Sequence, residues 1–194
     1  TALDRATIER IHHSEYIDKL LALDLDKKEA RKIGFPLSKQ LIDREIIIAG
    51  GTIQGALKAL EHGIAMNIAG GTHHAFKAHG EAFCLFNDQA IAAQYLLDQE
   101  LVDTILIVDL DVHQGNGTAE IFESNSKVFT FSMHGEKNYP FHKEKSDLDI
   151  ALEDGCSDEV FLNILEETLP KLIAQNQPDF IFYLCGVDVL ETDK

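Results

Sequence analysis

The residues between Ile105 and Gly117 combine acidic side chains and an imidazole at a spacing that suits metal binding. Asp109, Asp111 and His113 follow an apolar run that is typical of a buried parallel strand. In an extended chain, side chains at i, i+2 and i+4 point to the same face, so these groups converge. Buried carboxylates are costly unless they are paired or bind a cation, and carboxylates with an imidazole suit a divalent transition metal. The alternative interpretation is a polar turn that caps the next helix.

Two further stretches place reactive side chains after apolar runs. His73 and His74 follow a pair of glycines, and Asp188 follows the apolar residues 180–184. Asp111, His113 and Asp188 would give a metal three protein ligands and leave a position open for water. The two histidines are then candidates for a general base, and Asp109 for a carboxylate that orients an imidazole. The alternatives are a capped pair of loop histidines and an aspartate in an ordinary turn.

The elements that must position these side chains alternate between helices and strands. Apolar spacing predicts helices over 7–23, 41–62, 87–99, 117–123 and 158–175, and strands over 64–68, 104–109, 128–132 and 180–184. Residues 24–40 and 134–157 are predicted to be loops, and Asn87 or Asp88 is a candidate cap for the helix over 87–99. This alternation predicts an α/β fold, a parallel doubly wound sheet with helices on both faces. Ligands of such sheets bind beyond the carboxyl ends of the strands. The three loops that contain the candidate site residues follow predicted strands, so we expect them to lie close together at that edge.

Composition favours a folded, acidic protein of the cytoplasm. Apolar residues make up 45% of the 194 residues, and 33 acidic against 17 basic residues give a net charge of −16. Such a chain is a poor candidate for nucleic-acid binding, and no apolar segment approaches the length of a membrane span. Cys84 and Cys185 lie in apolar runs and are predicted to be buried thiols, which suits a reducing compartment. Composition does not predict the oligomeric state.

Four motifs together resemble the histone deacetylase family of the arginase/deacetylase superfamily. They are GGTHHA at 70–75, FCLFND at 83–88, DLDVHQG at 109–115 and GVD at 186–188. They occur in order across residues 45–190. The HQGNG run from His113 is similar to class IV members and their bacterial relatives.

The resemblance implies a set of residue roles. Zinc would be held by Asp111, His113 and Asp188, with His74 as general base and acid. His73 would be its electrostatic partner, oriented by Asp109. Phe83 and Tyr139 would form facing walls of a substrate channel. The resemblance also implies structural potassium ions, one at Asp109, Asp111, His113, Ser132 and Met133, and a second at Phe122, Asn125 and Val128.

The implied activity is hydrolysis of an acyl group from a lysine side chain or a small amine, with an acylated peptide or amine as partner. Two departures from the family pattern are Ala82, where glycine is usual, and Asn116, where most members have aspartate. We expect residues 1–194 to form a single catalytic domain that lacks N-terminal and C-terminal portions, including a loop with a carbonyl-polarising tyrosine. Residues 1–194 alone are therefore expected not to hydrolyse the substrate. The alternatives are a catalytically inactive acyl-lysine binding module and a binuclear manganese ureohydrolase of the same superfamily.

Overall fold

The computed structural model describes residues 2–193, which separate into two compact units. The first unit runs to Leu101 and includes Asn116–Ile121, and the second comprises Val102–Gly115 and the chain from Phe122 onward. The helices are α1 (Arg5–Ile8), α2 (Ser14–Leu21), α3 (Lys27–Ile33), α4 (Lys39–His62), α5 (Asp88–Asp98), α6 (Asn116–Phe122) and α7 (Asp158–Asn176). The strands are β1 (Ile105–Asp109), β2 (Val128–Gly135), β3 (Leu148–Leu152) and β4 (Phe180–Leu184).

The second unit is built on a parallel four-stranded sheet in the order β3-β2-β1-β4. Every residue of β1 is buried, as expected for a central parallel strand. Alternate β1 residues Leu106 and Val108 form a core with Phe131 and with Leu172 of α7. Helix α7 therefore covers one face of the sheet, and the predicted α/β class with a parallel sheet is confirmed.

The first unit is helical, and local capping sets where its helices begin and end. The side chain of Ser38 caps the start of α4, and Gly63 ends this helix with a positive φ of 89°, a conformation that glycine adopts without steric cost. Asn87 caps α5 by accepting a hydrogen bond from the backbone of Ala90. Helix α4 packs against α5. The predictions for these two helices and for the Asn87 cap are confirmed.

The predicted helix over 7–23 is interrupted, and the predicted loop over 24–40 contains helix α3. Helix α1 ends at Ile8 and α2 begins only at Ser14, and between them the backbone N–H of His13 donates to Lys77 O instead of continuing a helix. Helix α3 begins with a capping box between Asp26 and Glu29 and ends at Gly34 in the left-handed conformation. These capping signals outweigh the high charge of the segment.

Two other predictions are wrong. Residues 64–68 are not a buried strand, because Ile64, Met66 and Ile68 are 84%, 82% and 93% exposed and this run joins no strand within residues 2–193. The interleaved Asn67 instead turns inward and donates to Ile48 O and Thr52 Oγ1. The predicted loop 134–157 contains strand β3, whose residues are alternately exposed and half-buried.

The cysteine predictions divide between the two positions. Cys84 is buried as predicted, whereas Cys185 is exposed. The apolar run before Cys185 belongs to β4, and Cys185 itself follows the last strand residue, so strand burial does not extend to it. No helix between residues 2 and 193 is both long and apolar enough to cross a bilayer.

Candidate functional site

The second unit brings together the three predicted metal ligands. One potential ligand atom from each of Asp111, His113 and Asp188 lies within 4.8 Å of the others. Nδ1 of His113 is 2.9 Å from Asp111 Oδ1 and 3.2 Å from Asp188 Oδ2. Within residues 2–193, this is the one group of at least three acidic, histidine or cysteine side chains with such a spacing.

Sheet order explains this convergence. Strands β1 and β4 are adjacent and parallel, with Asp109 in register with Leu184, so the segments that follow them leave the same edge of the sheet. The backbone N–H of Leu110 donates to Leu184 O at 3.0 Å, and that of Val112 donates to Asp188 Oδ1 at 3.4 Å. The buried Asp109 accepts from the backbone N–H of Asp111 at 3.1 Å. The segments after β1 and β4 therefore lie at one edge of the sheet, as expected, while the third predicted loop, with His73 and His74, belongs to the first unit.

The electrostatics of the group favour a cation. Burial, followed by the negative charge of nearby Asp111, raises the pKa of the Asp188 carboxyl. A divalent ion between two carboxylates that repel one another would stabilise their charged forms. Gly186 permits their close approach, because a Cβ atom there would lie 2.6 Å from Asp111 Oδ2. The donor set of two carboxylates and an imidazole therefore fits a divalent transition metal.

Tyr139 lies beside this group, on the loop between β2 and β3. Its ring is edge-on to that of His113, with centroids 6.3 Å apart. Its carbonyl accepts from the backbone N–H of Gln114 at 3.3 Å. The position next to a candidate ligand is compatible with the predicted role of Tyr139 as a channel wall.

The residues predicted to hold potassium are also in the second unit. The buried Ser132 and Met133 lie on β2, and Ser132 Oγ is 3.0 Å from His134 Nδ1. Phe122, Asn125 and Val128 form a tight turn in which the backbone N–H of Asn125 donates to Phe122 O, and that of Val128 to Asn125 O. Potassium binding at either place stays a prediction.

The first unit contains the histidine pair. His73 and His74 are 4% and 5% exposed, and their ring centroids are 4.0 Å apart. Nδ1 of His74 is 2.7 Å from Oδ1 of the buried Asn116. Because an amide oxygen only accepts, His74 Nδ1 carries a proton in this contact, so a neutral ring would have its lone pair on Nε2.

The backbone around the histidine pair is held by residues that the sequence did not single out for this purpose. Asp88 Oδ1 accepts from the backbone N–H groups of Gly71 and Thr72 at 3.0 and 2.8 Å. His73 O accepts from Thr118 N at 3.1 Å. A Cβ atom at Gly117 would collide with the carbonyl of Ala75, so α6 can approach this segment only with glycine at that position.

Phe83 lies at the tip of a tight turn in the first unit. Glu81 and Cys84 exchange two backbone hydrogen bonds, and the intervening Ala82 and Phe83 have φ of +43° and +67°. Positive φ at both central positions is typical of a type I′ turn. Phe83 is 59% exposed and packs against Phe35 with centroids 5.0 Å apart. An exposed aromatic ring fixed by a strained turn is compatible with a substrate contact.

Comparisons with known proteins agree with the family resemblance. The sequence model of the histone deacetylase domain matches residues 1–194. An uncharacterised protein of Picosynechococcus is 48% identical over 98% of this chain and 64% of its own length. Histone deacetylase 2 of Arabidopsis thaliana is 31% identical over 84% of this chain and 41% of its own length.

A solved structure shows the same fold. The crystal structure of a histone deacetylase homolog from Aquifex aeolicus has a TM-score of 0.83 and 27% identity, and the match covers 98% of this chain and 57% of that one. The chain thus spans less than two thirds of the length of these relatives.

Proposed function

The chain belongs to the histone deacetylase family of the arginase/deacetylase superfamily, and on that premise we propose that it hydrolyses acyl groups from lysine side chains or small amines with the help of one zinc ion. The observation that carries the proposal is the convergence of Asp111, His113 and Asp188 within 4.8 Å. Three protein donors that include one histidine are typical of a catalytic zinc site.

Zinc, when bound, would polarise the acyl carbonyl and lower the pKa of a water molecule. Hydrolysis adds a water molecule to the acyl carbonyl carbon and breaks the bond from this carbon to the amine nitrogen. The products are a carboxylic acid and a free amine.

We assign the proton transfers to His74. When the ring is neutral, its lone pair lies on Nε2, because Nδ1 donates to Asn116 Oδ1. The imidazole would take the proton of the attacking water and return it to the leaving nitrogen, which otherwise departs as a poor anionic leaving group. His73, with its ring centroid 4.0 Å from that of His74, is proposed as the electrostatic partner that Asp109 orients. Phe83 and Tyr139 are proposed to contact the chain that carries the acyl group.

The donor set also bears on the alternative ureohydrolase activity. A pair of bridged manganese ions needs more carboxylates than the two that accompany His113. Asn116, which takes the place of a family aspartate, is engaged with His74 and with Gly117 N through its oxygen. The one-metal hydrolase is therefore the function that this site supports best.

The proposed activity is tested with the zinc-loaded full-length protein, and not with residues 1–194 alone, against a panel of acylated lysine peptides and acylated polyamines. We expect release of the free acid, and we expect His74→Gln to lose turnover by about 100-fold or more while it retains the metal. Asp154→Ala, which removes an exposed carboxylate of the second unit, is the control and should have the turnover of the unmodified chain. Peptide binding with no acid released by the zinc-loaded full-length protein would contradict the proposal and favour the binding module.

A further inference from the structure

Glu81 has a carboxylate whose two oxygens serve different partners. Oε2 forms an ion pair with Lys32 Nζ at 2.9 Å, and Oε1 accepts from Asn116 Nδ2 at 3.2 Å. The side chain of Glu81 is only 14% exposed. A carboxylate at this depth is costly unless its oxygens are hydrogen-bonded or paired, so its contacts define where it can lie.

The position of Glu81 in the fold is also fixed. Glu81 precedes the two positive-φ residues of the type I′ turn and exchanges backbone hydrogen bonds with Cys84 at 3.0 and 2.9 Å. Helix α3 holds the turn from outside, because Lys32 O accepts from the backbone N–H of Ala82 at 2.9 Å. Lys32 therefore contacts the turn through its carbonyl and through its ammonium group, and the carboxylate of Glu81 has little freedom to move away from Asn116.

The amide of Asn116 has two chemically different ends, and each end meets a partner that accepts one orientation only. Oδ1 accepts from the backbone N–H of Gly117 at 3.0 Å and faces His74 Nδ1. Nδ2 faces the carboxylate of Glu81, which only accepts. A flipped amide would direct its oxygen at the Glu81 carboxylate and its NH₂ group at Gly117 N–H, and both contacts would be repulsive.

The orientation of this amide decides which nitrogen of His74 bears the proton. With Oδ1 toward the ring, Nδ1 must donate and Nε2 keeps its lone pair. With Nδ2 toward the ring, Nδ1 would have to accept and the neutral ring would carry its proton on Nε2. Only the first form can take up a proton at Nε2.

We propose that Glu81 is a positioning residue for the histidine base: it holds the Asn116 amide so that Oδ1 faces His74 Nδ1, and it thereby fixes the tautomer that has its lone pair on Nε2. The catalytic consequence of this proposal rests on the proposed function, whereas the tautomer itself does not. An alternative is that Glu81 only ties α3 to the turn through Lys32. The two roles make different predictions, because they use different oxygens of the carboxylate.

The test compares variants at position 81 in the full chain. Glu81→Met keeps the length of the side chain and removes the acceptor, and Glu81→Ala is a second variant of the same kind in case the first does not fold. Glu81→Gln retains one acceptor oxygen, which can face Asn116 Nδ2 while the half-exposed Lys32 turns to solvent. Glu29→Ala is the matched control, because Glu29 also pairs with a lysine at 2.9 Å and belongs to α3, yet its described contacts are with Lys19 and Asp26 and not with Asn116.

The first readout is the ¹⁵N chemical shift of the His74 ring, which separates the two neutral tautomers and needs neither metal nor substrate. In the unmodified chain we expect the form protonated on Nδ1. Loss of a hydrogen bond to a charged group should shift the ratio of amide orientations by about 10- to 100-fold toward the flipped state in Glu81→Met. Gly117 N–H still opposes the flip, so a minor Nε2-protonated form should appear beside the original one. Glu81→Gln and Glu29→Ala should keep the original tautomer.

The second readout is turnover by the zinc-loaded full-length protein. We expect Glu81→Met to lower kcat by about 10- to 100-fold with little change in KM, because a misplaced base affects the transition state more than binding. Glu81→Gln should restore most of kcat. An unchanged tautomer in both Glu81→Met and Glu81→Ala, an equal disturbance in Glu81→Gln, or the same disturbance in Glu29→Ala would overturn the positioning role. A tautomer change as expected with no turnover in any variant, the unmodified chain included, would instead contradict the proposed function and leave the positioning role intact.

Discussion

His74 and Asn116 are joined by a hydrogen bond of 2.7 Å between Nδ1 and Oδ1, and both side chains are buried. Most family members are expected to have aspartate in place of Asn116, and an aspartate would offer a negative charge at this distance. The amide offers an acceptor of nearly the same shape without the charge. The pair therefore sets the ring tautomer by hydrogen bonding alone.

Asn116→Asp is predicted to move the acid limb of kcat/KM to higher pH. A carboxylate next to the ring favours the imidazolium form and raises the pKa of His74, so the base becomes unprotonated only at higher pH. One pKa unit corresponds to about 1.4 kcal/mol. The new carboxylate would also face Glu81 Oε1, now 3.2 Å from Asn116 Nδ2, and this repulsion should reduce the shift.

The pH profile of the double variant Asn116→Asp with Glu81→Gln serves as the comparison. Neutralising Glu81 removes the repulsion between the two carboxylates, so Asn116→Asp should move the acid limb further in the Glu81→Gln background than it does in the unmodified background. An acid limb that is unchanged or lower in both variants would mean that His74 is not the base whose titration limits the rate.

His12 is predicted to make the folded chain less stable as the pH falls below about 6.5. Its Nδ1 faces Phe76 O at 2.9 Å and its Nε2 accepts from the backbone N–H of Asn87 at 3.0 Å. Protonation of Nε2 would place two donors against each other. Burial, as the largest cause, lowers the pKa of His12 to about 4 from 6.5.

The direction of the effect follows from proton binding in the two states. Between pH 6.5 and about 4 the unfolded chain binds a proton at His12 that the folded chain does not, so the free energy of unfolding decreases as the pH falls. The loss is about 1.4 kcal/mol per pH unit, or roughly 3 kcal/mol over the interval.

Urea unfolding at several pH values measures this dependence of the unfolding free energy on pH. His12→Gln should show a shallower dependence, and the exposed neighbour His13 gives His13→Gln as the control, which should keep the full slope. Equal slopes in all three chains would contradict the prediction.

Ala82→Gly is predicted to raise the stability of the folded chain slightly. Ala82 has a φ of +43°, and the left-handed conformation costs a non-glycine residue about 1–2 kcal/mol. Glycine removes this strain but adds about 0.4–1 kcal/mol of unfolded-chain entropy, so the net gain should be about 0.5–1 kcal/mol. Thermal unfolding measures the difference. Ala92→Gly, at a buried position within α5, is the contrasting control and should lower Tm. A lower Tm for Ala82→Gly would show that the turn is not strained at this residue.

Sequence patterns are sufficient to predict the elements that have many apolar residues. Strand β1 and helix α4 have uninterrupted or regularly spaced apolar residues with identifiable ends, which local physics alone specifies. Strand β3 was missed because it is short and has the polar Asp149 between half-buried apolar residues. Residues 64–68 were misassigned because an apolar run predicts burial only if a neighbouring element covers it.

The residues of the candidate site also divide into those that the sequence could predict and those that it could not. Asp111, His113 and Asp188 could be predicted together because adjacent parallel strands bring the segments after them to one edge. Glu81 could not, because its contact with Asn116 depends on a type I′ turn that Ala-Phe does not signal; Asn-Gly is the usual signature of such a turn. Asp88 gave only a helix-start signal, and its hydrogen bonds to Gly71 and Thr72 arise from tertiary packing.

The most direct test of the proposed zinc site is the metal content of the full chain after incubation with zinc and removal of unbound ion, measured by elemental analysis. We expect about one zinc per chain, retained in Asp154→Ala and lost in Asp111→Ala, since removal of one carboxylate leaves two donors. Circular dichroism should show that Asp111→Ala remains folded. Full zinc content in a folded Asp111→Ala, or two metal ions per unmodified chain, would contradict the account.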